Sequence, residues 1–138
     1  MSGVIRLSFS IEEPLYERLE ALVKEGQYAN RSEFIRDLIR ERLVERQWAR
    51  DEVAVGTITI LYNHHTRGLM QRLMHIQHHH HEVILTTTHV HLYEHLCAET
   101  IVVKGLAHAI KTLADLLKQQ KGVLHAALSL SSTGMELQ

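Results

Sequence analysis

Residues 4 to 11 read Val-Ile-Arg-Leu-Ser-Phe-Ser-Ile. Ile5, Leu7, Phe9 and Ile11 alternate with Arg6, Ser8 and Ser10, the period of a strand with one apolar face and one polar face carrying a single cation. Glu12-Glu13-Pro14 follows as a helix entry, with acids near the positive end of the helix dipole and proline where its missing N–H costs little. Leu15, Leu19, Leu22 and Val23 keep helical spacing up to Gly26, which reads as a stop. Asn30-Arg31-Ser32-Glu33 opens a second helix, with Asn30 as cap and Glu33 three residues on as in a capping box. Phe34, Ile35, Leu38, Ile39 and Leu43 form its apolar face, and polar residues 45–52 close this first unit. Strand, helix and helix in about fifty residues cannot bury that much apolar surface alone, and a lone strand leaves an open edge, so the unit calls for a second copy.

The remainder has the order βαββαβ. Residues 53–62 are rich in β-formers, and Leu69, Leu73 and Ile76 set a helix within 67–76. Residues 83–92 alternate as a strand, 99–104 form another, 107–120 an amphipathic helix on Ile110, Leu113, Leu116 and Leu117, and 123–130 a last strand after Gly122. This is the split-βαβ, ferredoxin-like order, an α+β fold whose helices cover one sheet face while the other awaits a second subunit. Residues 1–50 and 51–138 are read as two domains, with 131–138 as a loose tail.

The full 138 residues carry 15 Lys plus Arg against 16 Asp plus Glu, so no bulk basicity marks a nucleic-acid binder and any DNA contact must come from local placement. Neither a secretory leader nor an apolar run of membrane-spanning length is present, and the single Cys97 fits a reducing compartment, which together predict a cytoplasmic protein without a membrane partner. The anomaly is histidine: ten of the twelve lie between residues 64 and 95. His89 and His91 leave the same face of one strand, about 7 Å apart by the strand rise. Cys97 follows six residues later, on a connection short enough to return a thiolate towards the same end of the sheet. A fourth ligand is available from the run His78–His81 at the end of the preceding helix, from the same chain or from a neighbour. A single His-x-His is usually only a pair of solvated polar groups; combined with the sole cysteine and an internal histidine run, it points to a metal. Imidazole and thiolate together suit zinc, copper or nickel, and composition leaves all three open. Four protein ligands leave no position for substrate, and no carboxylate stands out as a base, which argues against a metalloenzyme. Glu33 and Asp37, four apart on one helix face, form a like-charge pair that invites a cation.

Taken together, Asn30-Arg31-Ser32-Glu33-Phe34-Ile35-Arg36-Asp37, Gln77-His78-His79-His80-His81, Thr88-His89-Val90-His91 and Cys97 resemble the nickel-responsive transcriptional regulators, the NikR family, over nearly the whole chain. The resemblance implies a ribbon-helix-helix domain followed by an ACT-like βαββαβ domain, assembled as a homotetramer in which two ribbon-helix-helix dimers flank a central tetramer. It implies square-planar Ni(II) held by His89, His91 and Cys97 of one subunit and His78 of its neighbour, with Glu99 helping to fix a histidine ring. It places Arg6, Ser8 and Ser10 on paired strands in the major groove of a palindromic double-stranded operator, and Asn30, Arg31 and Ser32 at a phosphate clamp. It assigns Glu33 and Asp37 to a weaker site for K+ or a second divalent ion. The expected activity is repression rather than catalysis. The sequence departs from the family pattern at Thr66, where a basic phosphate-contacting residue is expected. The rivals within this reading are a copper- or zinc-responsive regulator of the same architecture and a ribbon-helix-helix operator binder with a non-metal effector.

Overall fold

The computed structural model describes residues 3–138. Two compact units divide the chain, Met1–Arg40 and Glu41–Gln138. The sequence expectation of a strand over 4–11 is not met within the single chain: residues 3–12 carry no strand, and Ile5, Leu7 and Phe9 are exposed. The physical reason is that a strand exists only through its ladder, and among the described residues this segment has no strand to pair with.

In the first unit α1 (Glu13–Glu25) carries Pro14 in its first turn as expected, with no residue buried. It stops at Gly26, but the left-handed turn falls on Gln27 (φ 57°). Glycine at 26 answers a different demand, since a Cβ there would stand 2.5 Å from the Tyr28 ring. Tyr28 meets Phe34 edge-on at 5.2 Å and its hydroxyl donates to Asp37. Asn30 caps α2 (Arg31–Ala49), its Oδ1 accepting the Glu33 amide at 2.9 Å. Glu33 does not complete the reciprocal half of a capping box, because its carboxylate is paired with Arg36.

The second unit holds the end of α2, then β1 (Val53–Asn63), α3 (Leu69–His79), β2 (Ile84–Tyr93), β3 (Leu96–Leu106), α4 (Ala107–Lys118) and β4 (Val123–Leu130). The sheet order is β2-β3-β1-β4, antiparallel throughout, which is the ferredoxin-like arrangement. Alternate residues of β1 (Ala54, Ile58, Ile60 and Tyr62) and of β3 (Cys97, Glu99, Ile101 and Val103) turn to the helices, where Leu69, Leu73, Ile110, Leu113 and Leu117 cover them. Each large apolar side chain so enclosed stabilises the fold by about 1.5–3 kcal/mol. The opposite face, with Val55, Thr57, Thr59, Leu61, Thr100 and Val102, is only partly covered.

Residues 131–138 are not loose, contrary to expectation. The Ser131 amide donates to the Val55 carbonyl, the Ser131 carbonyl takes the Trp48 indole N–H (both 2.8 Å), and Glu136 accepts from Gln47 at 3.2 Å. Trp48 is thereby packed over Gly56, where a Cβ would lie 2.9 Å from the Ser129 carbonyl oxygen and 3.3 Å from the indole. Asp51 (φ 55°) caps α4 from a distance, accepting the His108 amide at 2.7 Å and the His108 ring at 2.8 Å. The His108 amide holds the Asp51 carboxyl below its ordinary value, with the ring adding to the effect.

Two outcomes follow from this packing. Gly56→Ala destabilises by about 1–3 kcal/mol in denaturant unfolding, because the carbonyl it meets is part of the ladder. A depressed carboxyl stabilises the fold above its unfolded value of about 4 and loses that contribution as pH falls through the lower folded value. Asp51→Asn, which also tolerates the left-handed backbone, should therefore flatten the decline of stability below about pH 4 that the unsubstituted chain shows in pH-dependent melting.

Candidate metal centre

The register of three strands builds the site. Tyr62 lies opposite Cys97 and Ile60 opposite Glu99 across β1 and β3, while His91 lies opposite Cys97 and His89 opposite Glu99 across β2 and β3. Directly opposed residues share a face, so His89, His91, Cys97, Glu99 and Tyr62 all stand on the helix-facing side at one end of the sheet. Cys97 was expected on a connecting segment beyond the strand; it is instead the second residue of β3, brought beside His91 by the two-residue turn Glu94-His95.

Cys97 is 1% exposed. Its Sγ lies 3.5 Å from His64 Nδ1 and 3.7 Å from His91 Nδ1. These three side chains offer ligand atoms that all lie within 4.8 Å of one another. Burial, with the neighbouring histidines adding to it, holds the His64 imidazole below its ordinary pKa, which leaves it neutral and able to lend a lone pair.

His89 is turned elsewhere. Its Nδ1 lies 3.0 Å from the Tyr62 hydroxyl and 3.5 Å from Glu99 Oε1, and Tyr62 donates to the same Oε1 at 3.1 Å. Burial, reinforced by Glu99, raises the Tyr62 phenol, so its one proton stays and is spent on the carboxylate. His89 must then donate from Nδ1, and its Nε2 keeps the lone pair a metal requires. The other Glu99 oxygen takes the Gln77 amide of α3 at 2.9 Å. Glu99, at 8% exposed, is thus a buried carboxylate held by donors from three directions. A buried sulfur with His64 and His91 beside it, and His89 on the same sheet face, is a donor set suited to nickel, copper or zinc.

His78 is exposed near the end of α3, beside His79 and His81, and does not join this cluster within the chain. In the first unit Arg6, Ser8 and Ser10 are exposed, as is Ser32. Arg31 is engaged by Glu20 and the Tyr16 hydroxyl, which raises its guanidinium further, with Glu20 the larger cause. Glu33 and Asp37 each have a partner of their own, Arg36 and Tyr28. Sequence reasoning passed over Tyr62, used Gln77 only within the stretch that carries the resemblance, and left His64 among surface groups and weak extra ligands. The signal for His64 was its place one residue beyond β1, but using it requires the β1–β3 register, which side-chain pattern alone does not supply.

Comparison with known proteins agrees with this architecture. Residues 55–131 match the family described as NikR C terminal nickel binding domain, and residues 5–46 match ribbon-helix-helix proteins of the copG family. A nickel-responsive regulator of Geotalea uraniireducens is 48% identical over 138 residues, 99% of each chain. One from Pyrococcus furiosus is 43% identical over 136 residues, covering 98% of this chain and 99% of the relative. An uncharacterized protein from Thermotoga maritima shares the fold of part of the chain, with a TM-score of 0.53 at 20% identity over 57% of this chain and 98% of that one. With relatives over 40% identical across nearly the whole length, and a ribbon-helix-helix match ahead of a match to a nickel-binding domain, this chain belongs to the nickel-responsive regulator family.

Proposed function

We propose that the chain is a nickel-dependent repressor whose metal site is shared between subunits: His89, His91 and Cys97 of one copy and His78 of another. The observation that carries this reading is the Tyr62–Glu99–His89 arrangement, which spends the inner nitrogen of His89 on a buried carboxylate and leaves its outer nitrogen available. Such a partner orients a ligand and raises its basicity, and its loss typically costs 10–100-fold in metal affinity. His78 needs a second copy because its own chain keeps it out of the cluster. The partly covered outer sheet face and the unpaired 4–11 segment support assembly as a homotetramer, a dimer of dimers. His89, His91 and Cys97 of one copy and His78 of another would hold nickel, whose charge would tie β2 and β3 to the helix of the other copy. Gln77 neighbours His78 and bonds Glu99, so ordering the end of α3 and orienting His89 are one event. Metal that favours one arrangement of the assembly biases the arms towards operator binding.

In this reading Arg6, Ser8 and Ser10 of two paired arms meet base edges of a palindromic double-stranded operator. Asn30 and Ser32 lie by the amino end of α2, where backbone amides favour phosphate, with Arg31 adding charge. Glu33 and Asp37 are assigned to a weaker cation, K+ or a second divalent ion, which would have to displace Arg36 and the Tyr28 hydroxyl. The compartment is the cytoplasm; among the described residues no helix is long and apolar enough to cross a membrane.

One observation favours a second reading. His64 with His91 and Cys97 makes a three-ligand group inside a single chain, a set that zinc or copper could use without a second subunit.

Gel-shift titration of a palindromic DNA pool with nickel, copper and zinc, followed by thiolate-to-metal absorption, tests both. His89→Ala and Cys97→Ala should abolish nickel-dependent shifts while the assembly persists in sedimentation, and Glu99→Gln should weaken nickel binding by about 10–100-fold. His64→Ala should leave the nickel response intact; if it removes the response while His78→Ala does not, the single-chain site replaces the shared one. Because coordination needs neutral imidazole and ionised sulfur, acid should weaken metal binding, and a shift that persists unchanged at pH 5 contradicts the assignment.

A further inference from the structure

α2 runs unbroken from Arg31 to Ala49, with its first turns in one unit and its last in the other. Two of its final residues, Gln47 and Trp48, are 3% exposed, and both are bonded to residues 131–138. The Trp48 indole N–H donates to the Ser131 carbonyl at 2.8 Å and the Gln47 amide to Glu136 Oε2 at 3.2 Å, with Arg46 3.9 Å from the same oxygen. The segment turns back on itself at Gly134 (φ 87°), whose amide donates to the Ser132 hydroxyl at 3.0 Å and whose carbonyl accepts the Leu137 amide at 3.2 Å. Glu136 lies inside that turn, which presents its carboxylate to α2.

The fastening is made so that it can open. Gln47 Oε1 is buried with no hydrogen-bond partner among the described residues, and a buried acceptor left unpaired subtracts from what the closed arrangement gains. Glu136 is half-exposed, so its bonds compete with water. One strand joins this place to the metal centre. At one end of β1 the Val55 carbonyl accepts the Ser131 amide and Gly56 lies under Trp48; at the other end Tyr62 stands opposite Cys97.

We propose that residues 131–138 are a strap whose closure on Gln47 and Trp48 lets metal in the second unit govern the arm in the first. Closed, it makes the end of α2 move with β1. Open, it frees the last turn of α2, and the metal centre loses its hold on that helix. This role rests on the nickel-dependent operator binding proposed above. Glu136 is then a positioning residue, neither a metal ligand nor a DNA contact.

Trp48 is the sole tryptophan of the chain, so its fluorescence reports the strap directly. In the full chain, Glu136→Ala should increase acrylamide quenching of Trp48 and leave the Ni(II) titration of thiolate-to-metal absorption unchanged. The same variant should weaken nickel-dependent operator binding by about 5–10-fold, the low end of a coupling between sites. Glu136→Gln, which keeps an oxygen for the Gln47 amide, should stay close to the unsubstituted chain in all three measurements. Trp48→Phe keeps a ring but removes the N–H, and should weaken operator binding to a similar extent without altering the Ni(II) titration. Unchanged quenching in Glu136→Ala, raised quenching with full operator affinity, or nickel and operator affinities that fall together would each overturn the proposal. An unsubstituted chain whose operator binding ignores nickel would overturn the repressor reading and this role with it, an outcome seen before any substitution is made.

Discussion

The register between β1, β3 and β2 is the constraint from which the rest of the second unit follows. Opposing Tyr62, Cys97 and His91 in one row and Ile60, Glu99 and His89 in the next puts sulfur, imidazole, phenol and carboxylate on one face with no loop required to gather them. A slip of one residue in β2 would send both histidines to the opposite face. Between β1 and β3 what holds the register is apolar: Ile58 opposite Ile101, both fully enclosed. The core therefore fixes which β1 and β3 side chains meet at the candidate site.

Much of this was legible in the chain. The period-two runs and the 3.6-residue stripe on Ile110, Leu113 and Leu117 gave the βαββαβ order, because each element is patterned for a one-sided burial. His89 and His91 sharing a face followed from strand geometry alone, and Asn30 as a cap followed from residue type. His64, Tyr62 and Gln77 were hidden because their places depend on pairings between segments tens of residues apart. The tail was misread for a similar reason: Ser131 is polar in isolation, yet the Trp48 indole and the Val55 carbonyl each need one of its backbone groups. At residues 4–11 the alternation predicts a strand that the described residues do not form, because a tendency to pair is not a pair.

Beyond His108, whose Nδ1 meets the Asp51 carboxylate, the histidines near the sheet end and α3 are separated by what Nδ1 meets. At His89 it meets a phenol and a carboxylate, at His64 and His91 a sulfur, and at His79, His80 and His81 a backbone carbonyl. The same side chain is thereby an oriented imidazole, a neighbour of a buried sulfur, or a helix terminator. A run of four identical residues is not four copies of one function, since each position on the helix offers its ring a different acceptor.

The arm ahead of α1 has a consequence for abundance. With Ile5, Leu7 and Phe9 exposed and no backbone partner in their own molecule, residues 4–11 can gain a ladder only by meeting another polypeptide. Their order is then governed by mass action. At low and at high concentration the same amino acids would form different amounts of paired strand, so the number of copies present sets how much of this segment is ordered.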